Sequence, residues 1–198
     1  MPRPKQISDE ELLKIALDCF LEHGPKVSTQ IIADQAGLSQ PALFKRFGTK
    51  EELFLQALSP PEHLPVVEWL DKSLDDGPFK PQLLTMLEKV WETLEWVFPQ
   101  IQVIRDARLP NGITLSRYKV SPPVRMLSAI ESYMDRAKQL GHIRKNVETK
   151  FIAQWIFGVL MGRLNIREAL PPREQKKDHA FIKATAELLC AGLLRTEK

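Results

Sequence analysis

What the chain lacks narrows its chemistry first. Glycine is scarce, nine in 198 residues, and nowhere do glycines gather into a loop that would cradle a phosphate. The four histidines (His23, His63, His142 and His179) are scattered without the spacing of metal ligands, and no nucleophile motif is present. Only two cysteines occur, Cys19 and Cys190. They lie far apart, each inside an apolar helical pattern, which suits buried free thiols in a reducing compartment rather than a disulfide framework. The expectation is a protein that is not an enzyme and carries no metal or cofactor.

Long apolar runs are missing too. The longest, "WIFGVLMG" from Trp155 to Gly162, falls far short of the ~20 residues that span a bilayer. The opening "MPRPKQISDEELLK" is polar and charged, unlike a signal peptide. A soluble cytoplasmic protein with no membrane partner is expected. Strand-like alternation is also absent: "QVIR" and "ITLSRYKV" are short and lack hairpin partners. No repeat of fixed period and no low-complexity tract breaks the chain. Finally, bulk positive charge is lacking where it would be useful. The whole chain carries +3, but residues 1–58 hold seven Lys and Arg against eight Asp and Glu, one negative charge in sum. If that block meets an anionic partner, the position of its cations must do what bulk charge does not.

What is present is helical periodicity and clear punctuation. With 43% apolar residues the chain has enough material for a real core in one or two domains. Ser8 followed by Glu11 is a capping box. Leu12, Leu13, Ala16, Leu17, Phe20 and Leu21 then form one apolar stripe that Gly24-Pro25 stops. A short helix from about Ser28 to Ala36 ends at Gly37, where a left-handed cap is wanted. Ser39 caps the next helix, with Pro41 in its first turn, and Gly48 ends it. Thr49 and Glu52 form a second capping box for a helix through Leu58. Pro60-Pro61 marks a boundary. Further helices are expected at about 62–75, 80–98, 99–109, 122–140, 147–169 and 177–195. Between them lie a turn at Asp75–Pro78, a loop or helical bend over Leu109–Ser121, and a polar connection in "PPREQKKD". The fold class is all-α: a small three-helix N-terminal helix-turn-helix bundle over 1–58, then a larger helical domain over 59–198.

Helix, glycine-containing turn, helix is the helix-turn-helix pattern. In that geometry the second helix lies in the major groove of DNA and presents its N-terminal residues to base edges. It therefore needs small or polar residues at its start and an apolar inner face. Ser39, Gln40, Pro41 and Ala42 come first, and Leu43 and Phe47, four apart, face inward. Phe44, Lys45 and Arg46 take the other faces.

The same block resembles the tetracycline-repressor (TetR-type) family of bacterial transcription regulators. The resemblance rests on "LLKIALDCFLEHG" and then "STQIIADQAGLSQPALFKRFGTKEEL", with Ile32-Ala33, Ala36-Gly37-Leu38-Ser39, Leu43-Phe44, Phe47 and Lys50-Glu51-Glu52-Leu53 in order. It covers about a quarter of the chain. Two departures stand out. The link after Gly24 is one residue shorter than the usual pattern and lacks its aromatic. Phe44 replaces the usual Tyr, so the contact there is reduced to an apolar one with sugar or a thymine methyl.

Roles follow for the residues left over by folding. Ser28, Thr29 and Ser39 sit at helix N-termini, where capping and phosphate contact are compatible. Lys50 opens a helix with a cation that opposes the macrodipole, an oddity a phosphate partner explains. Gln40 is the leading base reader, since its amide makes a bidentate contact to adenine. Gln30 matches a contact position of the resembled family. Lys45 and Arg46 are phosphate clamps or base readers, Arg46 being suited to guanine by its fork. Arg3 and Lys5 lie in a Pro-bearing arm within reach of DNA.

In the second domain, "TKFIAQWIFGVLMGRL" is apolar around nearly its whole circumference. One side is expected to pack inside the subunit and the other against a partner, with "HAFIKATAELLCAGLL" adding a second stripe. Two such helices from each subunit make a four-helix dimer interface, the usual dimer of the resembled family. Trp155, Ile156, Val159, Gly162, Phe181 and Leu188 are the candidate interface residues. A homodimer implies a palindromic double-stranded DNA operator, its half-sites about one DNA turn, ~34–36 Å, apart or wider. The resemblance further implies a small-molecule effector, apolar or amphipathic, that releases a repressor from DNA. Its candidate contacts are Met86, Trp91, Phe98, Arg105, Tyr118, Met126 and Tyr133, aromatic and Met side chains with a few polar groups. The setting implied is the bacterial cytoplasm, with the nucleoid when DNA is bound. The competing reading is a helical protein-interaction module whose helix-turn-helix no longer reads DNA, and the negative sum over residues 1–58 is its support.

Overall fold

A computed structural model describes residues 7–60, 64–108 and 122–193. Every regular element among these residues is helical, as expected: α1 (Asp9–His23), α2 (Thr29–Gln35), α3 (Gln40–Phe47), α4 (Lys50–Leu58), α5 (Pro65–Lys72), α6 (Phe79–Asp106), α7 (Pro122–Gln139), α8 (Thr149–Ile166), α9 (Pro172–Gln175) and α10 (Asp178–Leu193). A turn of 3-10 helix, Arg167–Ala169, follows α8. No helix among the described residues is long and apolar enough to cross a membrane. The Leu109–Ser121 connection, Pro61, and Arg3 and Lys5 of the N-terminal arm lie outside the described residues.

The chain resolves into two compact units, residues 1–61 with 97–117, and residues 62–96 with 118–198. The first differs from a simple N-terminal block because α6 is one uninterrupted helix, where the sequence suggests a break near residue 98. Pro99 sits inside it. Proline lacks an N–H and crowds the carbonyl four residues back. That carbonyl belongs to Glu95, and both residues lie on the exposed side of the helix, where the lost helical bond costs least. The helix then runs on, and Val103, Ile104 and Ala107 pack against the core of the first unit.

That core is built from one stripe per helix. Leu12, Ala16 and Phe20 of α1, Ile32 and Ala33 of α2, Leu43 and Phe47 of α3, and Leu53, Phe54 and Leu58 of α4 are all buried. Phe20 and Phe54 meet edge to face at 4.9 Å between ring centres.

In the second unit α7 packs against both α5 and α8. Arg136 of α7 donates to the Leu70 carbonyl and to Ser132 Oγ and pairs with Asp71 at 3.8 Å, which fixes α7 on the end of α5. The turn at Asp75–Pro78 forms as expected, held by Gly77 N–H on Asp75 Oδ1 at 2.7 Å and by the Gln82 amide. The connection before α10 is more ordered than its polarity suggests. Arg163 of α8 pairs with Asp178 at 2.9 Å and donates to the Glu174 carbonyl at 2.6 Å, and Arg167 bridges Asp178 to Glu95.

Candidate nucleic-acid interface

Each helix end in the first unit is set by the residue the sequence places there. Ser8 Oγ accepts from Glu11 N–H at 3.1 Å, and Glu11 Oε2 accepts from Ser8 N–H at 2.9 Å, so α1 opens on a full capping box. Ser28 and Ser39 cap α2 and α3 through the Gln30 and Ala42 amides. At the turn between them Gly37 has φ +65°, and the Leu38 amide reaches back to the Ala33 carbonyl at 2.9 Å. That bond closes α2 and turns the chain directly into α3.

Gly48 has a second task. Its φ is +77°, and a Cβ there would lie 2.0 Å from Glu52 Oε2. The same carboxylate accepts from Thr49 N–H at 2.7 Å, completing the box that opens α4. So α3 and α4 are joined by a turn that admits almost no side chain at Gly48.

The candidate residues lie at the N-terminal ends of α2, α3 and α4, with Phe44, Lys45 and Arg46 farther along α3. Ser28, Gln30, Ser39, Pro41 and Lys45 are exposed. Gln40, Ala42, Phe44, Arg46 and Lys50 are half-buried. Neither Lys45 nor Lys50 has an ion-pair partner among the described residues. Lys50 and Lys26 line a shallow cleft of about 190 Å³ with Glu51 and Asp106.

Four residues of the candidate set, Thr29, Gln40, Gln30 and Arg46, are engaged inside the domain. Thr29 is only 6% exposed, and its hydroxyl accepts from Gln40 Nε2 at 2.5 Å. Its side chain therefore points to α3 rather than outward. Gln30 donates from Nε2 to Asp34 Oδ1 at 2.7 Å, one turn along its own helix. Arg46 donates from Nη1 to the Ile7 carbonyl at 2.8 Å and lies 3.4 Å from Asp9 Oδ1. That arginine ties the end of α3 to the start of α1. Sequence reasoning missed the Thr29–Gln40 and Arg46–Ile7 pairs. Their partners are 11 and 39 residues apart, and neither spacing carries a local signal.

The candidate residues of the second domain are also distributed. Met86, Trp91, Met126 and Tyr133 are buried in the second unit. Phe98, half-buried, and Arg105, exposed, belong to the part of α6 that goes with the first unit, and Tyr118 lies outside the described residues. Burial holds the Tyr133 phenol neutral, pushing it up to about 12; Arg136 pulls it down and Asp75 pushes it up. Its hydroxyl and that of Ser73 are buried without a hydrogen-bond partner among the described residues.

On α8 the helix divides by face. Ala153, Ile156, Leu160 and Leu164 turn inward, whereas Phe151 and Trp155 are 64% and 45% exposed. Ile156, a candidate for the dimer contact, is thus part of the subunit's own core: it stands one helical step, about 100°, from Trp155. Gly162 is exposed and Val159 half-buried. On α10 Leu188 is 69% exposed, while Phe181 is half-buried with the Arg163 guanidinium over its ring at 5.3 Å.

Comparison with known proteins agrees with this geometry. Residues 12–57 match the family model for bacterial regulatory proteins of the tetR family. A solved protein from Mesorhizobium loti MAFF303099, assigned to the TetR-family transcriptional regulators, superposes with a TM-score of 0.75 at 20% identity, over 94% of this chain and 96% of that one. SmeT, the repressor of the Stenotrophomonas maltophilia multidrug efflux pump SmeDEF, gives 0.64 at 20% identity over 96% and 92%. FadR from Bacillus subtilis gives 0.66 at 15% identity over 92% and 97%. No curated protein matches the chain in sequence. Residues 12–57 thus match the helix-turn-helix domain of the tetR family of bacterial regulatory proteins, and the fold along the rest of the chain is the one these solved proteins share.

Proposed function

We propose that the protein is a repressor that binds a palindromic operator as a homodimer and leaves it when a small apolar or amphipathic effector binds. Residues 1–58 meet DNA; residues 59–198 hold the effector and the partner subunit. The observation that carries this reading is the set of polar side chains at the starts of α2, α3 and α4. Ser28 and Ser39 cap α2 and α3, Gln40 keeps one N–H and its carbonyl beyond its bond to Thr29, and neither Lys50 at the start of α4 nor Lys45 in the last turn of α3 has an ion-pair partner among the described residues. Helix N-termini favour phosphate, and the start of α3 favours base edges.

The outward apolar residues support a dimer. Phe151, Trp155 and Leu188 are large and exposed, and a Cβ at Gly158 or Gly162 would meet nothing within 4 Å, so α8 presents a flat strip to a second copy. The buried hydroxyls of Tyr133 and Ser73 support an effector with a polar group. A phenol that stays neutral is a hydrogen-bond donor. Two structural neighbours were solved with small molecules, SmeT with triclosan and FadR with stearoyl-CoA, and a comparable site here would draw on Met86, Trp91, Met126 and Tyr133. To release DNA the effector must bind the DNA-incompetent state more tightly than the other.

Selection of duplexes from a random pool, followed by binding measured against salt, tests the reading. An enriched palindrome, bound with an affinity that falls steeply with salt, is the expected outcome. A salt-insensitive failure to bind any duplex favours the interaction module, to which the net negative charge of residues 1–58 points.

A further inference from the structure

We infer that Thr29 is a positioning residue for base reading, its hydroxyl holding the Gln40 amide in the orientation that sets base preference. This rests on the reading of α3 as the helix that meets base edges. Gln40 is the first residue of α3 and Thr29 the first of α2, so a single side-chain bond at 2.5 Å joins the starts of the two helices. Thr29 is inaccessible to a phosphate in this arrangement, which leaves support as the task of its hydroxyl.

The chemistry of the amide permits both jobs together. Glutamine offers two N–H groups and one carbonyl oxygen. A bidentate contact to adenine uses the oxygen and one N–H. The bond to Thr29 uses the other N–H, so Gln40 is held and still able to read. A free glutamine at an exposed helix start would lose its rotamer freedom on binding; here much of that freedom is already gone. Gln30 gives the contrast. Its amide is tied to Asp34, an exposed carboxylate on the same helix surface, not to a buried group on another helix. Threonine also suits the post, because its β-branched side chain is stiff at χ1.

The experiment uses the full chain and duplexes selected from a random pool. Wild type, Thr29→Val, Thr29→Ala, Thr29→Ser and Gln40→Ala are compared for base preference, salt dependence and thermal midpoint. A bidentate contact discriminates against the wrong base by roughly five- to 150-fold. Thr29→Val keeps the shape and removes the hydroxyl. It is expected to lose about tenfold of the preference that Gln40→Ala abolishes, with the salt slope unchanged. Thr29→Ser keeps the acceptor and should retain most of that preference. If Thr29→Val folds poorly, Thr29→Ala answers the same question. Independently, the Gln40 side-chain amide should relax like the backbone in free wild type and become mobile in Thr29→Ala.

A Thr29→Val or Thr29→Ala protein with the wild-type preference overturns the inference while leaving Gln40 as a reader. An unchanged preference in Gln40→Ala removes both Gln40 and Thr29 from base reading, though DNA binding stands. Failure of wild type to bind any duplex overturns the proposed function itself.

Discussion

The two units differ in how fully they satisfy their polar and apolar groups. In the first, Ser8, Ser28, Ser39 and Thr49 each cap a helix, and the apolar stripes of α1 to α4 close on one another. In the second, the Ser73 and Tyr133 hydroxyls are buried without partners among the described residues, while Phe151, Trp155 and Leu188 stand in solvent. A buried polar group without a bond and an exposed large apolar side chain are both costly, and they are the two features most informative about an unmet partner. Among the described residues the first unit buries no unpartnered side-chain polar atom, and its exposed large apolar side chains, Leu21 and Ile31, are less exposed than Phe151, Trp155 and Leu188. The second carries features that a further molecule would complete, which is the division of labour the proposed function needs. The comparison can be broken at four points.

The deepest break is Phe20→Ala. Phe20 is fully buried at the centre of the first core, against the Phe54 ring. Truncating a buried phenylalanine costs about 3–5 kcal/mol, a large part of a domain's stability. Urea unfolding should show that loss, and duplex binding should fall with it. A loss below about 1 kcal/mol would mean that the four helices do not depend on one shared core.

Next is the Tyr133 phenol. Its ionisation lies near 10 in an unfolded chain and is raised to about 12 in the fold, mainly by burial. The stability that this shift contributes is full below pH 10 and is lost as pH rises through 12. Two pH units at about 1.4 kcal/mol each give a loss of about 3 kcal/mol. Tyr133→Phe lacks that loss and removes an unpartnered hydroxyl, so below pH 10 it should be at least as stable as wild type. Unfolding measured from pH 9 to 12 on both proteins isolates the effect. Equal alkaline slopes would show that the hydroxyl already has a partner or water, and the contrast between the units would weaken.

Trp155→Glu tests the outward face. A central tryptophan in an interface is worth about 2 kcal/mol or more, roughly 30-fold in dissociation constant. Sedimentation should show the dimer weakened by at least that factor, while far-UV dichroism of the subunit stays unchanged. Ile156→Ala should do the reverse. It loses about 2–5 kcal/mol of subunit stability, because Ile156 is sealed in the subunit core. Loss of dimer in Ile156→Ala alone would reverse the assignment of faces on α8.

These cases also show what was legible beforehand. The starts and stops of α1 to α4 depend on neighbours in sequence: Ser8 with Glu11, Thr49 with Glu52, and glycines at positive φ. Such signals can be read from the sequence directly, and so could the inward pair Leu43 and Phe47. The Thr29–Gln40 and Arg46–Ile7 bonds are tertiary, and no pattern of spacing announces them. Pro99 misled for a different reason: propensity marks the lost bond but not the solvent exposure that makes the loss tolerable. On α8 an apolar surface all round the helix gave no phase, so Trp155 and Ile156 could not be assigned to different sides until the core was placed.

The smallest effect, and the most specific, belongs to Lys50. It is the first residue of α4, where the helix dipole disfavours a cation by about 0.3–1 kcal/mol. Lys50→Ala removes that cost, and no ion pair among the described residues is lost with it, so the folded protein should be unchanged or slightly more stable. On DNA the sign reverses. Loss of one phosphate contact should weaken every duplex alike and lower the salt slope by about one, with base preference intact. A residue kept for folding would show the opposite pair of results, lower stability and an unchanged slope. Asp106, which shares the cleft with Lys50, gives the control: Asp106→Asn removes a nearby negative charge. It should strengthen binding of all duplexes slightly at low salt, and the gain should vanish as the Debye length shrinks to about 3 Å near 1 M salt.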